Sequence, residues 1–418
     1  MLQYVVEGGY KLKGEIRNSG SKNASLPILA TAILNPNSVT FYNVPDIEDT
    51  KTILKILRFL GCKVTRECDK ITISSKNMKK TEIPEELMQK CRSTVILAGA
   101  ILGRFKKVTF SFPGGCNIGS RPIDLHLEGF KKLGTKIYGD GNYIHCIADS
   151  IKGTKIKLEF PSVGATENII LASIYANGIT RITNAAKEPE IVDLAKCLNK
   201  MGAKIYGAGT SNIKIIGVKK LNKANYRIMP DRIEAGTFLC AAAITNGEIT
   251  VYNTNPEHLM KTLYKLKECG CKVLINNGNI YLKAPKEMKA VNIETGPYPE
   301  FPTDMQPIFT AMLTKAKGNS KIKENIFENR FKFCNELRKM DANIINENNT
   351  IIVRGTKQLL SNKVISQDLR GGAALIIASL AAEGKTIILN AQYILRGYEN
   401  FEKKLNSIGA KIKLEKVV

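Results

Sequence analysis

Histidine is scarce in this sequence, and the cysteines follow no metal-binding pattern. The 418 residues include three His and ten Cys. Neither a Cys-x-x-Cys pair nor a Cys/His cluster occurs, and such spacings are typical of zinc sites. We therefore expect no metal site and no cofactor. Scattered, unpaired thiols indicate a reducing compartment.

Long apolar runs are also missing. The first residues, MLQYVVEGGYKLKGE, lack the apolar core of a signal peptide. No apolar run reaches the length that spans a bilayer. We therefore expect a soluble, cytoplasmic protein without a membrane partner.

Acidic residues are few relative to basic ones. The chain has 38 Asp and Glu against 62 Lys and Arg, a formal net charge of +24. Basic clusters and aromatic stacking patches, which nucleic-acid surfaces combine, are lacking. A basic cleft also concentrates small anions. The composition therefore favours small anionic ligands, and a non-enzymatic, repeat-built protein that binds nucleic acid is the alternative.

A sixfold repeat is the main feature that is present. A five-residue signature recurs every 68 to 73 residues, and Gly or Asp is its second residue. Such periodicity indicates duplicated structural units. Gly suits the left-handed residue that ends a helix, and Asp tolerates that conformation. The signatures are LGCKV, LGTKI, MGAKI, CGCKV, MDANI and IGAKI, with second residues Gly61, Gly134, Gly202, Gly270, Asp341 and Gly409.

Each repeat predicts a buried helix, a strand, an amphipathic helix that ends at the signature, and a hairpin. Ala and Gly fill the first helices, so we expect these helices to pack closely. Their predicted ranges are Ser25–Leu34, Cys91–Gly103, Thr166–Gly178, Glu234–Gly247, Asp304–Gly318 and Gly371–Gly384. Six copies form two domains of three. We expect one domain to comprise residues 1–20 and 230–418, including the N-terminal strand, and the other to comprise 21–229, with the ligand site in the cleft between them.

The stretch 112–127, FPGGCNIGSRPIDLHL, predicts a glycine-rich loop with Cys116 at its tip. A thiol near Arg121 and loop amides is favoured as a reactive thiolate. The alternative is a buried Cys that acts as a small apolar side chain.

Charged and polar residues stand at corresponding ends of the other repeats. Each of them alone is explained by a helix cap or a surface ion pair. Together, several cations and a few carboxylates suit a substrate with phosphate and carboxylate groups. These residues are Lys22, Asn23, Arg92, Ser162, Gly164, Glu188, Asp231, Arg232, Asp304, Arg330, Asp368, Arg370 and Arg396.

Nine stretches resemble the enolpyruvyl transferase family, and in particular its members that act on UDP-N-acetylglucosamine. They lie in family order along the whole chain: SGSKNASLPILA, FPGGCNIGSRPIDLHLEGFKKLG, PSVGATENIILA, NAAKEPEIVDLA, MPDRIEAGTF, PYPEFPTDMQP, ENRFKF, SQDLRGGAALIIA and LRGYENFEKKLNSIGAKI. The resemblance implies an α/β fold, a two-domain inside-out α/β barrel of six βαβαββ repeats, three per domain. It implies transfer of the enolpyruvyl group of phosphoenolpyruvate to the sugar 3-hydroxyl, with release of phosphate, in peptidoglycan precursor synthesis.

The resemblance also implies residue roles. Cys116 is the proton donor to C3 of phosphoenolpyruvate and the residue that the epoxide fosfomycin alkylates. Asp304 takes the proton from the 3-hydroxyl, and Lys22, Arg121 and Arg396 surround phosphoenolpyruvate. Asn23, Asp368 and Arg370 fall at further functional positions, and Glu188, Asp231 and Arg232 at cleft positions. Arg330 also falls at a functional position of the family. The residues expected to face the uridine nucleotide are Arg92, Arg121, Pro122, Ile123, Asp124, Leu125, Ser162, Val163, Gly164 and Ile326.

Four positions depart from the family pattern. Leu395 replaces an Asp before Arg396, Gly371 and Gly372 replace bulkier residues, and Asp341 replaces a Gly. The competing enzyme class is the enolpyruvyl transferase of the shikimate pathway. Its members lack a Cys-bearing loop of this kind, so Cys116 argues against it.

Overall fold

Six copies of one βαβαββ pattern build the fold. A computed structural model describes residues 2–114, 118–119 and 122–416. These residues divide into two compact units. The first, here called the Asp304 unit, comprises residues 2–19, 118–119 and 230–416. The second, the Lys22 unit, comprises residues 20–114 and 122–229.

The first helix of each repeat is buried on almost every side, as its Ala and Gly content predicts. The glycines allow close approach: a Cβ on Gly103 would lie 2.8 Å from the carbonyl oxygen of Leu171 on the next buried helix. The six buried helices are Lys22–Leu34, Ile96–Phe105, Val163–Ser173, Arg232–Ile244, Gln306–Leu313 and Leu369–Leu380.

Four of the six helices begin earlier than the sequence pattern predicts, four end earlier, and Ile96–Phe105 begins and ends later. Ser21, Asp231 and Asp368 accept hydrogen bonds from the first-turn amides as N-caps, so each helix starts at the following residue. A 3-10 turn precedes each of two other helices. Arg92–Val95 has four residues and Thr303–Met305 has three. The helix ends predicted at Gly178, Gly318 and Gly384 were wrong. These three glycines lie beyond the ends of their helices, and their φ angles are positive.

The second helix of each repeat carries an apolar stripe that faces the core. All six signature residues have a positive φ, from 66° at Asp341 to 103° at Gly61. This confirms the predicted left-handed helix ends. The six helices are Glu48–Phe59, Asp124–Lys132, Pro189–Lys200, Met260–Glu268, Cys334–Lys339 and Phe401–Ser407.

Each repeat has a four-stranded sheet with one parallel and two antiparallel pairings. In the Lys22 unit, the strands in sheet order are Asn225–Arg227, Ser38–Tyr42, Lys70–Ser74 and Lys63–Glu67; Glu82–Ile83, Lys107–Ser111, Tyr143–Ile147 and Lys136–Asp140; and Lys155–Lys157, Ile179–Thr183, Asn212–Ile216 and Lys204–Tyr206. In the Asp304 unit, they are Lys13–Arg17, Glu248–Tyr252, Asn279–Lys283 and Lys272–Asn276; Ile293–Glu294, Asn319–Lys323, Thr350–Arg354 and Asn343–Glu347; and Lys363–Ile365, Lys385–Leu389, Leu2–Glu7 and Lys411–Lys416.

The N-terminal strand belongs to the last sheet of the chain. Leu2–Glu7 pairs antiparallel with both Lys385–Leu389 and Lys411–Lys416. It therefore takes the place of the second hairpin strand, which the sixth repeat lacks.

Two edge strands join the sheet of a repeat that is distant from them in the sequence. Lys13–Arg17 pairs in parallel with Glu248–Tyr252 of the fourth repeat, although it precedes the first buried helix. Asn225–Arg227 precedes the fourth buried helix and pairs in parallel with Ser38–Tyr42 of the first repeat. Each sheet is thus complete within its own unit.

The remaining elements are short. They are the helix Glu85–Met88, the 3-10 turns Pro256–Leu259 and Ala391–Arg396, and a two-stranded sheet of Leu359–Leu360 and Ala382–Glu383. Each unit has its own apolar core, built from the buried helices and the inward faces of the sheets. Within the described ranges, no helix combines the length and the apolar character that crossing a bilayer requires.

Candidate active site

Asp304 forms the centre of a charged cluster in the Asp304 unit. Its Oδ1 accepts a hydrogen bond from Nη2 of Arg330 at 3.0 Å, and its Oδ2 accepts one from Nη2 of Arg370 at 3.1 Å. Both guanidinium side chains are 2% exposed, whereas the Asp304 side chain is 27% exposed. The carboxylate is therefore the part of the cluster that solvent or a ligand can reach.

Arg370 also packs against an aromatic ring. Its guanidinium carbon lies 5.3 Å from the ring centroid of Tyr398, and the Tyr398 hydroxyl lies 3.0 Å from Oγ1 of Thr237. Burial alone lowers the pKa of Arg370, but Tyr398, Asp304 and Asp231 together raise it above its usual value. Arg370 is thus a fixed cation beside the Asp304 carboxylate.

Asp231 and Asp368 cap buried helices. Oδ1 of Asp231 accepts hydrogen bonds from the amides of Ile233 and Glu234 at 2.8 and 2.9 Å. Oδ1 of Asp368 accepts hydrogen bonds from the amides of Arg370 and Gly371 at 3.0 and 2.9 Å. Both residues therefore cap helices, and their role in ligand binding stays a prediction.

Glu324 is a site residue that the sequence reasoning missed. Its Oε2 accepts a hydrogen bond from Oγ1 of Thr303, next to Asp304, at 3.0 Å. Its Oε1 accepts hydrogen bonds from the amides of Ile326 and Phe327 at 2.8 and 3.2 Å. The buried carboxylate thus joins the turn at Ile326 to the segment that carries Asp304.

The repeat itself held the signal for Glu324. In four repeats, the residue that follows the strand after the buried helix is an Asn with positive φ: Asn43, Asn184, Asn253 and Asn390. Glu324 occupies this position in the fifth repeat. The replacement of this shared Asn by Glu324 therefore indicates that residue 324 has a different role, and this difference could have been read from the sequence.

Arg232 and Arg396 lie at other positions of the same unit. The Arg232 guanidinium lies 5.8 Å from the ring centroid of Tyr298, where both side chains line a shallow recess. Arg396 is the last residue of the turn Ala391–Arg396 and is half-buried. The preceding Leu395 packs against the apolar core of the unit. This packing gives the unusual Leu395 a structural role.

The glycines at 371 and 372 are explained by their neighbours. A Cβ on Gly371 would lie 2.9 Å from Cβ of Phe333. A Cβ on Gly372 would lie 2.7 Å from Cγ1 of Ile394. Larger side chains in the surroundings therefore fill the space that bulkier residues at 371 and 372 would take.

Lys22 forms a buried ion pair in the Lys22 unit. Its Nζ lies 3.1 Å from Oδ2 of Asp49, and the two side chains are 10% and 2% exposed. Lys22 and Asn23 open the first buried helix directly after the cap Ser21. Asp49, in the first turn of Glu48–Phe59, is a partner that the sequence reasoning did not identify.

The segments predicted to bind the nucleotide lie at the starts of three helical elements in the Lys22 unit. Arg92 begins the 3-10 turn Arg92–Val95 and is half-buried. Pro122, Ile123, Asp124 and Leu125 lead into and open the helix Asp124–Lys132. Ser162, Val163 and Gly164 form the turn that opens Val163–Ser173.

Carboxylates gather at a fourth helix start of this unit. Glu188 is the N-cap residue of Pro189–Lys200, and Glu190 lies buried in its first turn. Glu167 is fully buried nearby; burial, then Glu190 and Glu188, raise its pKa well above the usual value for Glu. These three residues are an acidic cluster rather than a cationic one.

Cys116 and Arg121 lie outside the described residues. Of the nine described cysteines, Cys68 is exposed and the other eight are buried. Burial raises the pKa of Cys62 to about 11 and that of Cys334 to about 12. Buried thiols of this kind are poor nucleophiles at neutral pH. In the described part of the chain, no group of three or more His, Cys, Asp or Glu side chains is arranged to hold a metal ion.

Solved structures identify the class of fold. The chain is similar to the enolpyruvyl transferase NikO from Streptomyces tendae, with a TM-score of 0.89 and 22% identity over 99% of this chain and 98% of that chain. It is also similar to an EPSP synthase from Acinetobacter baumannii, with a TM-score of 0.76 and 17% identity over the full length of both. The predicted fold class, an inside-out α/β barrel of the enolpyruvyl transferase type, is confirmed.

Sequence comparisons identify the family. A family model described as EPSP synthase (3-phosphoshikimate 1-carboxyvinyltransferase) matches residues 6–405. UDP-N-acetylglucosamine 1-carboxyvinyltransferase 2 of Caldanaerobacter subterraneus subsp. tengcongensis is 49% identical over 413 residues, 99% of each chain. UDP-N-acetylglucosamine 1-carboxyvinyltransferase of Trichlorobacter lovleyi is 46% identical over 413 residues, again 99% of each chain. The chain therefore belongs to the UDP-N-acetylglucosamine 1-carboxyvinyltransferase family within this wider group.

Proposed function

We propose that this protein transfers the enolpyruvyl group of phosphoenolpyruvate to the 3-hydroxyl of UDP-N-acetylglucosamine and releases phosphate. This is the first committed step of peptidoglycan precursor synthesis. The full-length similarity to relatives that carry this activity in their names supports the reaction. The observation that carries the proposed chemistry is the half-buried Asp304 carboxylate between two buried guanidinium groups.

Asp304 is the proposed general base. A carboxylate oxygen has two lone pairs, so Oδ1 of Asp304 can accept the sugar hydroxyl in addition to its hydrogen bond from Arg330. Oδ2 accepts two hydrogen bonds from Arg370, from Nε at 3.3 Å and from Nη2 at 3.1 Å. The two cations fix the direction of the carboxylate, and a fixed base within hydrogen-bond reach is what proton abstraction requires. Arg370 and Arg330 also remain close to the charge that develops during the reaction.

The proposed reaction is an addition followed by an elimination. In the addition, the sugar 3-oxygen bonds to C2 of phosphoenolpyruvate, its proton passes to Asp304, and C3 receives a proton from Cys116. In the elimination, the C2–O bond to phosphate breaks and its electron pair leaves with the phosphate. C3 returns a proton to the Cys116 thiolate, which restores the double bond and the thiol, and the proton on Asp304 leaves with the phosphate. Lys22, Arg121 and Arg396 are proposed to hold the phosphate and carboxylate of phosphoenolpyruvate, because cations bind such groups by charge-assisted hydrogen bonds.

The nucleotide is proposed to bind in the Lys22 unit at Arg92, Pro122–Leu125 and the Ser162–Gly164 turn. The proposed base Asp304 lies in the Asp304 unit, and these nucleotide segments lie in the Lys22 unit.

Phosphate release tests the proposal. Purified protein with phosphoenolpyruvate should release phosphate when UDP-N-acetylglucosamine is added and not when shikimate 3-phosphate is added. Release with shikimate 3-phosphate alone would assign the enzyme to the other branch of the fold. Inactivity with both acceptors, together with tight and salt-sensitive binding to duplex DNA, would refute an enzymatic function.

A further inference from the structure

The Asn168 side chain has an orientation that its backbone partners determine. Its Oδ1 accepts a hydrogen bond from the backbone amide of Gly99 at 2.8 Å, and its Nδ2 donates one to the carbonyl of Val95 at 3.0 Å. A backbone amide only donates and a carbonyl only accepts. The oxygen and nitrogen of the Asn168 carboxamide therefore cannot be exchanged.

The two backbone groups bound by Asn168 lie where the 3-10 turn Arg92–Val95 meets the helix Ile96–Phe105. Asn168 is fully buried on the helix Val163–Ser173. Gly99 allows this approach, because a Cβ there would lie 3.0 Å from Cα of Asn168. Asn168 thus connects the helix Val163–Ser173, which the Ser162–Gly164 turn opens, to the turn that begins with Arg92.

The same carboxamide determines the tautomer of a histidine. Nδ2 of Asn168 lies 2.7 Å from Nδ1 of His126, which is buried on the helix Asp124–Lys132. An amide nitrogen carries two protons and is not an acceptor, so one proton goes to Val95 and the other to His126. Nδ1 of His126 must then accept, and the ring proton of the neutral imidazole lies on Nε2.

The other side of the His126 ring faces the Ser162–Gly164 turn. A Cβ on Gly164 would lie 3.0 Å from Cε1 and 3.3 Å from Nε2 of His126. The imidazole therefore packs on the backbone of Gly164. One carboxamide in this way links all three segments that are proposed to bind the nucleotide.

We infer that Asn168 is a positioning residue of the nucleotide subsite, which holds His126 as the neutral Nε2–H tautomer and thereby sets the Ser162–Gly164 turn, the start of Asp124–Lys132 and the Arg92 turn in one arrangement. This inference rests on the proposed function, because the ligand of the subsite is the uridine nucleotide. Asn168 bonds to Val95 of the Arg92 turn and to His126 of Asp124–Lys132, and it reaches the Gly164 backbone through the His126 ring. It acts on the nucleotide only through these segments.

The tautomer can be measured directly in the unmodified protein. The chain has three His, so nitrogen-15 labelling of histidine gives three sets of ring signals. The variants His145→Gln and His258→Gln identify the His126 signals by elimination. Two-bond proton–nitrogen correlations at neutral pH should show the Nε2–H tautomer for His126. An Nδ1–H tautomer or an imidazolium ion would overturn the inference.

Asn168→Asp tests the consequence for binding. The variant keeps an oxygen for the Gly99 amide but replaces the donor to Val95 and His126 by an acceptor. The His126 signals should change to a form that is protonated on Nδ1. The dissociation constant for UDP should rise about tenfold, since one lost hydrogen bond changes affinity by roughly that factor. The KM for phosphoenolpyruvate should change less than about twofold, because that substrate uses other groups.

Asn35→Asp is the matched control. Asn35 is also fully buried in the Lys22 unit, and its Nδ2 donates to the carbonyl of Asn222 at 2.6 Å. It lies at the C-terminal end of Lys22–Leu34, away from the three segments. Asn35→Asp should lose stability to a similar extent and bind UDP like the wild type. Equal UDP affinity of the two variants would overturn the inference.

Asn168→Ala provides the second variant if Asn168→Asp does not fold. It removes all three hydrogen bonds without burying a charge and should also weaken UDP binding. Unchanged UDP binding by Asn168→Ala would overturn the inference. Failure of the proposed function gives a different result, namely a wild-type protein that neither binds UDP nor releases phosphate with UDP-N-acetylglucosamine.

Discussion

Lys22 and Asp49 form an ion pair of 3.1 Å inside the Lys22 unit, and the Asp49 side chain is 2% exposed. Removal of one partner from such a pair leaves an uncompensated buried charge. The free-energy loss is typically about 3–5 kcal/mol. An exposed ion pair contributes much less, about 0–1 kcal/mol, because water solvates both partners and salt screens them.

Asp49→Asn should therefore destabilise the Lys22 unit by about 3 kcal/mol or more. It should also lower kcat, because Lys22 is proposed to bind phosphoenolpyruvate. Urea unfolding and steady-state kinetics measure the two effects. Asp46→Asn is the control, since Asp46 is half-exposed where it pairs with Arg66 at 3.0 Å. Equal loss of stability in the two variants would contradict the prediction.

Asp304→Asn should lower kcat by a factor of about 10² to 10⁴, the usual effect of losing a general base. The amide keeps the shape of the carboxylate but abstracts no proton. The substitution removes the negative charge that neutralises Arg330 and Arg370. The affinity for the anion phosphoenolpyruvate should therefore not fall. The measurements are kcat and the dissociation constant of phosphoenolpyruvate. Asp341→Asn, in the same unit, is the control, and an active Asp304→Asn enzyme would exclude the proposed base.

Asp341→Gly should stabilise the Asp304 unit by about 0.5–1 kcal/mol. Asp341 has a φ of 66°, in the left-handed region where a side chain is unfavourable. The equivalent residue is Gly in the other five repeats. Thermal unfolding measures the change, and the rate of phosphate release should stay the same. The reverse exchange, Gly409→Asp, starts from a φ of 97° and should destabilise the same unit. A destabilised Asp341→Gly variant would show that the Asp side chain has another role.

Glu167→Gln should make stability less dependent on pH. Burial and the neighbouring Glu190 and Glu188 raise the pKa of Glu167 in the folded protein. Between the unfolded and the folded pKa, the native state binds more protons than the unfolded state, so wild-type stability falls as pH rises through this range. The variant should therefore be more stable than wild type by about 1–3 kcal/mol at pH 8, and the difference should vanish towards pH 4.

Urea unfolding between about pH 4 and pH 8 measures this difference. Glu86→Gln is the control, because the Glu86 side chain is 82% exposed beside Lys90. A gain in stability that is equal at both ends of the pH range would contradict the assigned titration.

Fosfomycin should label Cys116 alone. Eight described thiols are buried, and burial raises the pKa of, for example, Cys146 and Cys271 to about 12. Iodoacetamide, which is not selective for the site, should label Cys116 and the exposed Cys68. Peptide mass mapping distinguishes the two reagents, and Cys116→Ser should abolish the fosfomycin adduct while Cys68→Ser should not. An adduct on Cys68 would show that exposure alone determines the reaction.

Local patterns in the sequence were sufficient for the repeated elements. The left-handed residue at each signature follows from Gly or Asp at one position, since few other residues adopt that conformation. The burial of the first helices follows from their Ala and Gly content. The starts of these helices were less predictable. Asp231 and Asp368 were weighed for ligand binding, and the structure shows that their side chains cap the helices by accepting hydrogen bonds from backbone amides.

Pairings between distant residues were not readable in the same way. The exchange of the edge strands Lys13–Arg17 and Asn225–Arg227 depends on which sheet each strand joins, and periodicity carries no such information. The pairs Lys22–Asp49 and Asn168–His126 join residues from different helices. A single sequence marks the separate residues as polar, and only the fold brings them together.

The position of Leu2–Glu7 between Lys385–Leu389 and Lys411–Lys416 has a consequence for biosynthesis. Leu2–Glu7 leaves the ribosome well before its two hydrogen-bonding neighbours, so it can pair with both only after Lys411–Lys416 has been synthesised. The three sheets of the Lys22 unit need no residue beyond Arg227, so their strands are all available much earlier. Domains fold as units during synthesis. We therefore expect the sheets of the Lys22 unit to form while Leu2–Glu7 is still unpaired.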